Sequence, residues 1–204
     1  MAALRLEHLR RHAVGRSLFR PTTLGRAVAR LGFVQADPIR APARAQDLIL
    51  RHRVRDYRAG DLEAKYTRLR IEEDFFVNYG FLPREVYQLM HPRAAMRTWD
   101  DETQRRAAAM LAFVRARGRG DPREVEAEFA HGKVRNYWGG SSNATTHLLD
   151  GMHYRGMLRV LRRDRGTRIY AAHDHAPAPL DPDIIATRLD VLIDIAVGVY
   201  ASKR

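Results

Sequence analysis

The sequence contains no cysteine, which excludes disulfide bonds, cysteine zinc sites, iron–sulfur clusters and thiol nucleophiles. It also has no apolar run that approaches the ~20 residues needed to span a membrane as a helix. The longest apolar stretch, residues 191–201, is interrupted by Asp194 and Gly198. The first residues carry charges where a signal peptide would place its apolar segment. These absences predict a cytoplasmic protein with no membrane partner.

Several common catalytic signatures are missing as well. There is no P-loop, no Gly-x-Gly-x-x-Gly, no His-Glu-x-x-His and no nucleophile elbow. The segment His173-Asp174-His175 could suggest a metal site, but two histidines beside prolines in a linker are usually just solvated. We therefore predict neither a metal nor a cofactor.

Positive charge is what the chain has in excess. Lysine and arginine total 36 against 24 acidic residues, which gives a formal net charge of +12 over 204 residues. Nearly all of these cations are arginine, whose planar guanidinium matches phosphate and base edges. A genome rich in G and C would explain the choice of arginine, but it would not explain the excess. The balance favours a polyanionic partner.

Apolar spacing and capping residues predict mainly helices in the first half. One helix is expected over residues 4–14 and a second over residues 24–31, the latter beginning after Thr23 and ending at Gly32. Residues 33–37 are expected to be extended. The remaining predictions are a helix from Pro42 with Ala45, Leu48, Ile49 and His52 on one face, a short helix over 61–66, a buried strand or turn over 75–82, and a helix from Pro83.

The second half shows the order of a winged helix, a variant of the helix-turn-helix. Helices are expected over residues 101–117, from Asp121-Pro122 onward, and over about residues 144–155. A basic hairpin is expected to follow over residues 157–170, with its turn at residues 164–166. Any small α+β domain with a hairpin is the alternative. The inner face of the third helix is predicted to be Leu148, Leu149 and Met152.

A last helix is predicted over residues 184–200. Its apolar positions are expected to be Ile185, Leu189, Leu192, Ile193 and Ala196. No partner for this face is evident in the sequence, so packing on the same chain, a homodimer and another partner protein all stay open.

Gln35 and Asp37 are the most suggestive pair of side chains. Residues two apart on a strand point to the same side, so this amide and this carboxylate would project together just before Pro38. A carboxylate can stabilise a developing cation or orient a water, and an amide can hold that water. The plainer alternative is that Asp37 caps a turn and Gln35 is a polar residue at the rim.

Residues 32–39, with the sequence GFVQADPI, followed by Arg44 and Arg51, resemble the signature of the crosslink-repair DNA glycosylases of the AlkZ/YcaQ type. The match is to the Gln-x-Asp branch of that family. The aromatic run ending at Leu82-Pro83 and the loop at residues 137–140 also resemble it. The resemblance covers most of residues 3–171.

This resemblance implies a mainly α fold with short β-hairpins, an α+β class, built from tandem winged-helix domains. We expect the domains to be residues 1–98, carrying the Gln-x-Asp motif, and residues 99–172, followed by a linker and C-terminal helix at 173–204. Family members are typically longer, with a third winged helix and a C-terminal β-rich domain. The resemblance therefore implies that the C-terminal part is lacking here.

The activity implied is hydrolysis of the N-glycosidic bond of N7-alkylated purines in double-stranded DNA, including the unhooking of interstrand crosslinks. Asp37 would stabilise the sugar cation or position a water, and Gln35 would help to hold that water. The family often carries Trp, His and Glu in the aromatic stretch, whereas residues 75–80 here read FFVNYG. This departure keeps a second hypothesis open, a non-catalytic winged-helix protein that binds DNA in a regulatory or architectural role.

Residues expected to contact DNA fall into three groups. Arg44 and Arg51 lie just downstream of the motif and could bind a phosphate near the lesion. The wing of the second domain would supply further phosphate contacts, and the third helix of that domain would supply the rest. The wing residues are Arg159, Arg162, Arg163, Arg165 and Arg168, and those of the helix are Asn143, Thr146, His147 and His153.

Overall fold

The computed structural model of the chain describes residues 5–37, 39, 41–93, 98–135, 141–174 and 181–200. It is mainly helical with small antiparallel sheets, so the predicted α+β class is confirmed. The helices are α1 Leu6–Ser17, α2 Leu24–Leu31, α3 Ala45–Arg51, α4 Asp61–Lys65, α5 Arg84–Met90, α6 Asp101–Arg117, α7 Pro122–Phe129, α8 Ala144–Tyr154 and α9 Pro182–Tyr200. The strands are β1 Val34–Gln35, β2 Ile71–Phe75, β3 Tyr79–Pro83, β4 Lys133–Arg135, β5 Ser141–Asn143, β6 Leu158–Asp164 and β7 Thr167–Ala172.

The chain divides into two compact units. One unit combines residues 1–90 with residues 179–204, and the other comprises residues 91–178. The predicted boundary between Met96 and Asp101 falls partly outside the described residues. The predicted domain bounds stay a prediction, because compact units defined by contacts need not coincide with domains that fold on their own.

The first unit is organised by a three-stranded sheet in the order β1-β3-β2. As predicted, α2 begins after Thr23 and ends at Gly32, whose φ of 73° is the left-handed conformation that glycine adopts without strain. The chain then enters β1 directly. Leu82, Val86 and Ile195 pack with two aromatic side chains, Phe33 and Tyr87, into a core against this sheet.

The second unit follows the order expected of a winged helix. Helices α6 and α7 precede the β4–β5 pair, α8 and the β6–β7 hairpin. The hairpin turn at Arg165 and Gly166 has φ values of 48° and 89°, as a two-residue type I′ turn requires. Helix α8 buries Leu148, Leu149 and Met152 as predicted. The tandem winged-helix architecture stays a prediction.

The predicted face of α3 is wrong. The helix begins at Ala45 rather than Pro42, and it buries Gln46, Asp47 and Leu50. Leu48 is instead 44% exposed. The reason is that the side chains of Gln46 and Asp47 have hydrogen-bond partners inside the unit, and polar groups that are satisfied in this way can be buried.

The predicted inner face of α9 is also wrong in part. Ile185, Leu189 and Ile193 are exposed, whereas Ile195 is buried against the core of the first unit. Helix α9 packs on α1 and α5, and Asp194 forms an ion pair with Arg16 of α1 that fixes the rotation of the helix. The helix is apolar on more than one side, so its periodicity does not identify the buried face. A homodimer through α9 stays a prediction.

The strand prediction over residues 75–82 resolves into two strands and a turn. Phe75 ends β2, residues 76–78 form the turn, and Tyr79 begins β3. The sequence patterns missed most of β2, which buries Glu72, Glu73 and Asp74. They also missed the β4–β5 pair.

His131 gives the stability of the second unit a pH dependence. Burial, and then the charge of Arg106, lower the pKa of its ring, which stacks on Phe129 at 5.7 Å. Below the ordinary histidine pKa of about 6.5, the unfolded chain binds a proton at His131 that the folded state resists. The free energy of unfolding therefore decreases as the pH is lowered. We expect the urea midpoint to drop between about pH 7 and pH 5 by more in the wild type than in His131→Phe. Equal drops in the two proteins would contradict this.

Candidate active site

Gln35 and Asp37 lie where β1 ends. Gln35 pairs with Gly80 of β3, and the Ala36 N–H donates to the carbonyl of Tyr79 at 2.9 Å, which extends the ladder by one residue. Gly80 is required here because a Cβ would clash with the backbone carbonyl of Val34 and would lie 2.6 Å from Cζ of Phe33. This close approach fixes the strand that carries the motif.

The side-chain amide of Gln35 is open to a ligand. Gln35 is half-buried, and its amide forms no hydrogen bond with the residues that the structure describes. An amide offers both a donor and an acceptor, so it can hold a water molecule in a defined orientation.

The carboxylate of Asp37 has one engaged oxygen and one open oxygen. Oδ1 accepts from the backbone N–H of Ile39 at 2.8 Å, in the manner of an Asx turn. Within the described part of the chain, Oδ2 has no hydrogen-bond partner. The turn therefore orients the carboxylate, and the second oxygen keeps its capacity to accept a proton or to face a cation.

The backbone of Asp37 is anchored by Gln46, which is only 3% exposed. Oε1 of Gln46 accepts from the Asp37 N–H at 3.1 Å, and Nε2 donates to Oε1 of Glu63 at 3.4 Å. Glu63 in turn forms a half-buried ion pair with Arg44. Because a carboxylate only accepts, Glu63 holds the amide nitrogen of Gln46 and turns its oxygen toward Asp37.

A second buried contact fixes α3 itself. Oδ1 of Asp47 accepts from the Tyr57 hydroxyl at 2.8 Å and from the Gly60 N–H at 2.9 Å. Burial, and then this hydrogen bond, raise the pKa of the Tyr57 phenol. The hydroxyl therefore stays protonated and donating, and α3 is tied to the segment that leads into α4.

The predicted phosphate-binding arginines of the first unit differ in their surroundings. Arg44 is engaged by Glu63, with its side chain 20% exposed. Arg51, at the end of α3, is exposed and forms no ion pair within the described residues. The structure therefore leaves Arg51 the freer of the two to meet an external anion.

The arginines of the β6–β7 hairpin also differ from one another. Arg168 forms an ion pair with Asp150 at 2.9 Å, and Nη1 of Arg163 donates to the carbonyl of Gly166 at 2.8 Å. Among the residues that are described, neither Arg162 nor Arg165 has a carboxylate partner. Arg159 is half-buried at the start of the hairpin.

On α8, Thr146 and His147 are exposed as predicted. His153 is not, and its placement on the exposed face is wrong. The side chain is fully buried, and its ring lies 5.7 Å from that of Tyr170. The hairpin covers this side of the helix, a contact between distant segments that helical spacing does not reveal.

Metal-binding clusters and membrane-spanning helices are absent from the described part of the chain. No group of three or more His, Asp or Glu residues there could hold a metal ion. No described helix is long and apolar enough to cross a membrane. The predicted loop at residues 137–140 and most of the segment 173–179 lie outside the described residues.

Comparison with known proteins identifies the family. Residues 28–201 match the family described as DNA glycosylase AlkZ-like. The chain belongs to the AlkZ-like DNA glycosylase family. No curated protein and no solved structure gave a match. The resemblance seen in the sequence is thereby confirmed, while its Gln-x-Asp branch stays a prediction.

Sequence reasoning missed three carboxylates on β2 of this AlkZ-like chain. Oε1 of Glu72 accepts from Nε of Arg84 at 2.8 Å, and Oε1 of Glu73 accepts from the Tyr79 hydroxyl at 2.6 Å. Asp74 pairs with Gly80, which pairs on its other side with Gln35. Paired residues share a face, so Asp74 and Gln35 lie in one row across the sheet. Consecutive acidic residues do not show the alternation that marks a half-buried strand.

Asn143 has a structural role beside its predicted DNA contact. Its Oδ1 accepts from the Thr146 N–H at 2.8 Å and caps α8. We expect Asn143→Ala to lower the free energy of unfolding by about 1 kcal/mol in urea titrations. Asn143→Asp should keep the cap but weaken DNA binding, because it adds a negative charge. An unchanged stability of Asn143→Ala would contradict the capping role.

Proposed function

We propose that this chain hydrolyses the N-glycosidic bond of N7-alkylated purines in double-stranded DNA, and that it unhooks interstrand crosslinks formed through such purines. The observation that carries the proposal is the pair of open groups at the end of β1. The amide of Gln35 and one oxygen of Asp37 lack partners among the described residues. The backbone N–H of Asp37 is meanwhile held by the side chain of Gln46 on α3.

The chemistry suits a single carboxylate. Alkylation at N7 makes the purine cationic, so the electron pair of the C1′–N9 bond can pass to the base, which leaves neutral. The sugar is left with oxocarbenium character, which the negative charge of Asp37 stabilises. A water held by Gln35 attacks C1′ and gives its proton to Asp37. No second carboxyl is required to protonate the leaving group, unlike in ordinary glycoside hydrolysis.

In this proposal the two predicted domains, residues 1–98 and 99–172, are tandem winged helices that bind the DNA. The first candidates for phosphate contacts are Arg51, Arg162 and Arg165, because none of them has a carboxylate to displace among the residues that the structure describes. The other proposed contacts are Arg44, Asn143, Thr146, His147, Arg159, Arg163 and Arg168.

A second candidate function has one observation in its favour. The hydrogen bond from the Ile39 N–H to Asp37 is what a purely structural turn residue would make. A non-catalytic winged-helix protein that binds DNA would keep this turn without using the open oxygen.

Wild-type protein incubated with two duplexes would separate these functions. One duplex carries N7-methylguanine, and the other carries a nitrogen-mustard crosslink between guanine N7 atoms. We expect free N7-methylguanine from the first and single strands on a denaturing gel from the second. An undamaged duplex of the same sequence is the control. Tight binding without release from either lesion would support the non-catalytic function.

A further inference from the structure

A basic cleft lies on the first unit, and neither of the residues proposed above for catalysis lines it. It is a shallow depression of about 670 Å³ lined by residues 18–22 together with Arg26 and Arg30 of α2. Its apolar part comprises Leu18, which is 68% exposed, and the half-buried Phe19. Arg20, Arg26 and Arg30 are its cations. We call these residues the α2 cleft.

In the residues that the structure describes, no carboxylate neutralises the three arginines of the α2 cleft. All three are exposed, and none forms an ion pair in the described part of the chain. Arg26 and Arg30 stand four apart on α2, where like charges repel. Some exposed arginines outside the cleft are neutralised, as Arg11 is by Glu7 at 2.7 Å and Arg70 is by Glu85 at 2.8 Å. The positive charge of the cleft is therefore left for an external anion.

The cleft is also held in shape. The guanidinium of Arg30 stacks over the ring of Phe19 at 4.5 Å, a cation–π contact that limits its rotamers. The Thr22 N–H donates to the carbonyl of Arg53 at 2.9 Å. Nε of Arg53 donates to the carbonyl of Ser17 at 2.8 Å, which ties the end of α1 to the same segment. A ligand would thus meet a largely preformed surface.

We propose that the α2 cleft binds the sugar–phosphate backbone of duplex DNA. Its guanidinium groups match the phosphates, and the exposed apolar surface of Leu18 and Phe19 matches the deoxyribose between them. Arg20 and Arg26 precede the segment matched by the family, so family membership does not assign them a role. Helix α2 leads through Gly32 into β1, so the contact would hold DNA on the unit that carries Gln35. The inference rests on the proposed function for the identity of the ligand.

The test is the salt dependence of binding by the full chain to an undamaged duplex, followed by fluorescence anisotropy. Each phosphate contact contributes a slope of about −0.9 to log K against log salt concentration. Replacing Arg20, Arg26 and Arg30 together by Gln should make the slope shallower by about 2.7. The same three changes to Lys should keep the wild-type slope, because the charges remain. The matched control replaces Arg11, Arg70 and Arg106 by Gln, since each of these arginines is already paired with a glutamate.

A slope that changes in the cleft variant and not in the control or the lysine variant supports the inference. Equal slopes in the cleft and control variants would overturn it. Base release by the wild type from the N7-methylguanine duplex would in that case leave the proposed function standing. A wild-type protein that binds no duplex at any salt concentration would overturn both.

Discussion

Asp37→Asn is expected to slow the release of N7-methylguanine by about 100- to 1000-fold, the cost typical of removing one preorganised electrostatic contact from a transition state. Asn keeps an oxygen that can accept from the Ile39 N–H, so the turn survives. What is lost is the negative charge that stabilises the sugar cation and the oxygen that takes the proton of the water. The measurement is base release under single-turnover conditions, with protein in excess over duplex.

The matched control for this substitution is Asp101→Asn, which removes an exposed charge in the first turn of α6. It should release base at the wild-type rate. Duplex binding by Asp37→Asn should be at least as tight as that of the wild type, since one negative charge is removed. An Asp37→Asn protein that stays folded, binds DNA and releases base at the wild-type rate would remove Asp37 from the chemistry.

Gln46→Leu is expected to lower both the stability of the protein and its rate of base release. Leucine matches glutamine closely in volume but makes neither hydrogen bond, so the Asp37 N–H loses its partner inside the unit. We expect a loss of about 1–3 kcal/mol in the free energy of unfolding. We also expect base release to slow by up to about 100-fold, because small displacements of catalytic groups have effects of this size. Stability would be measured by urea titration and release under single-turnover conditions.

Exchanging the side chains of residues 46 and 63 tests whether Gln46 positions Asp37 through its hydrogen bonds or only fills space. Gln46→Glu alone places two carboxylates together and should impair release as much as the leucine variant. Adding Glu63→Gln restores a donor toward residue 46, so the double variant should recover release by at least about tenfold. Gln104→Leu is the control, since this exposed glutamine also loses a hydrogen bond to the backbone, the one that its Nε2 donates to the carbonyl of Trp99. It should leave release unchanged. No recovery in the double variant would show that the polarity of Gln46 is irrelevant.

Helix ends were predictable where the signal is local. Thr23 and Gly32 bound α2, and the predicted bounds of α6 are the observed Asp101–Arg117. Asp121 and Pro122 begin α7 as the sequence indicated. Each of these signals acts within one turn of the helix, so it can be interpreted without knowledge of the rest of the fold.

Buried faces and polar networks were not predictable in the same way. The wrong faces of α3 and α9 follow from partners distant in the chain, such as Glu63 for Gln46 and α1 for α9. Strand spacing is enough to bring Gln35 and Asp37 together as candidates. It does not reveal that Arg44 is engaged by Glu63, 19 positions away, rather than facing solvent. The sequence therefore identifies the motif, but the three-dimensional structure is needed to identify the residues that hold it.

The most direct test of the central claim, that Gln35 and Asp37 act on one water and one sugar cation, is a double-mutant cycle. Single-turnover release of N7-methylguanine would be measured for the wild type, Gln35→Ala, Asp37→Asn and the double variant, all at saturating protein. Residues that act as a unit have non-additive effects, so the double variant should be no more than about threefold slower than Asp37→Asn. Four proteins that bind the duplex and release base at equal rates would contradict the claim.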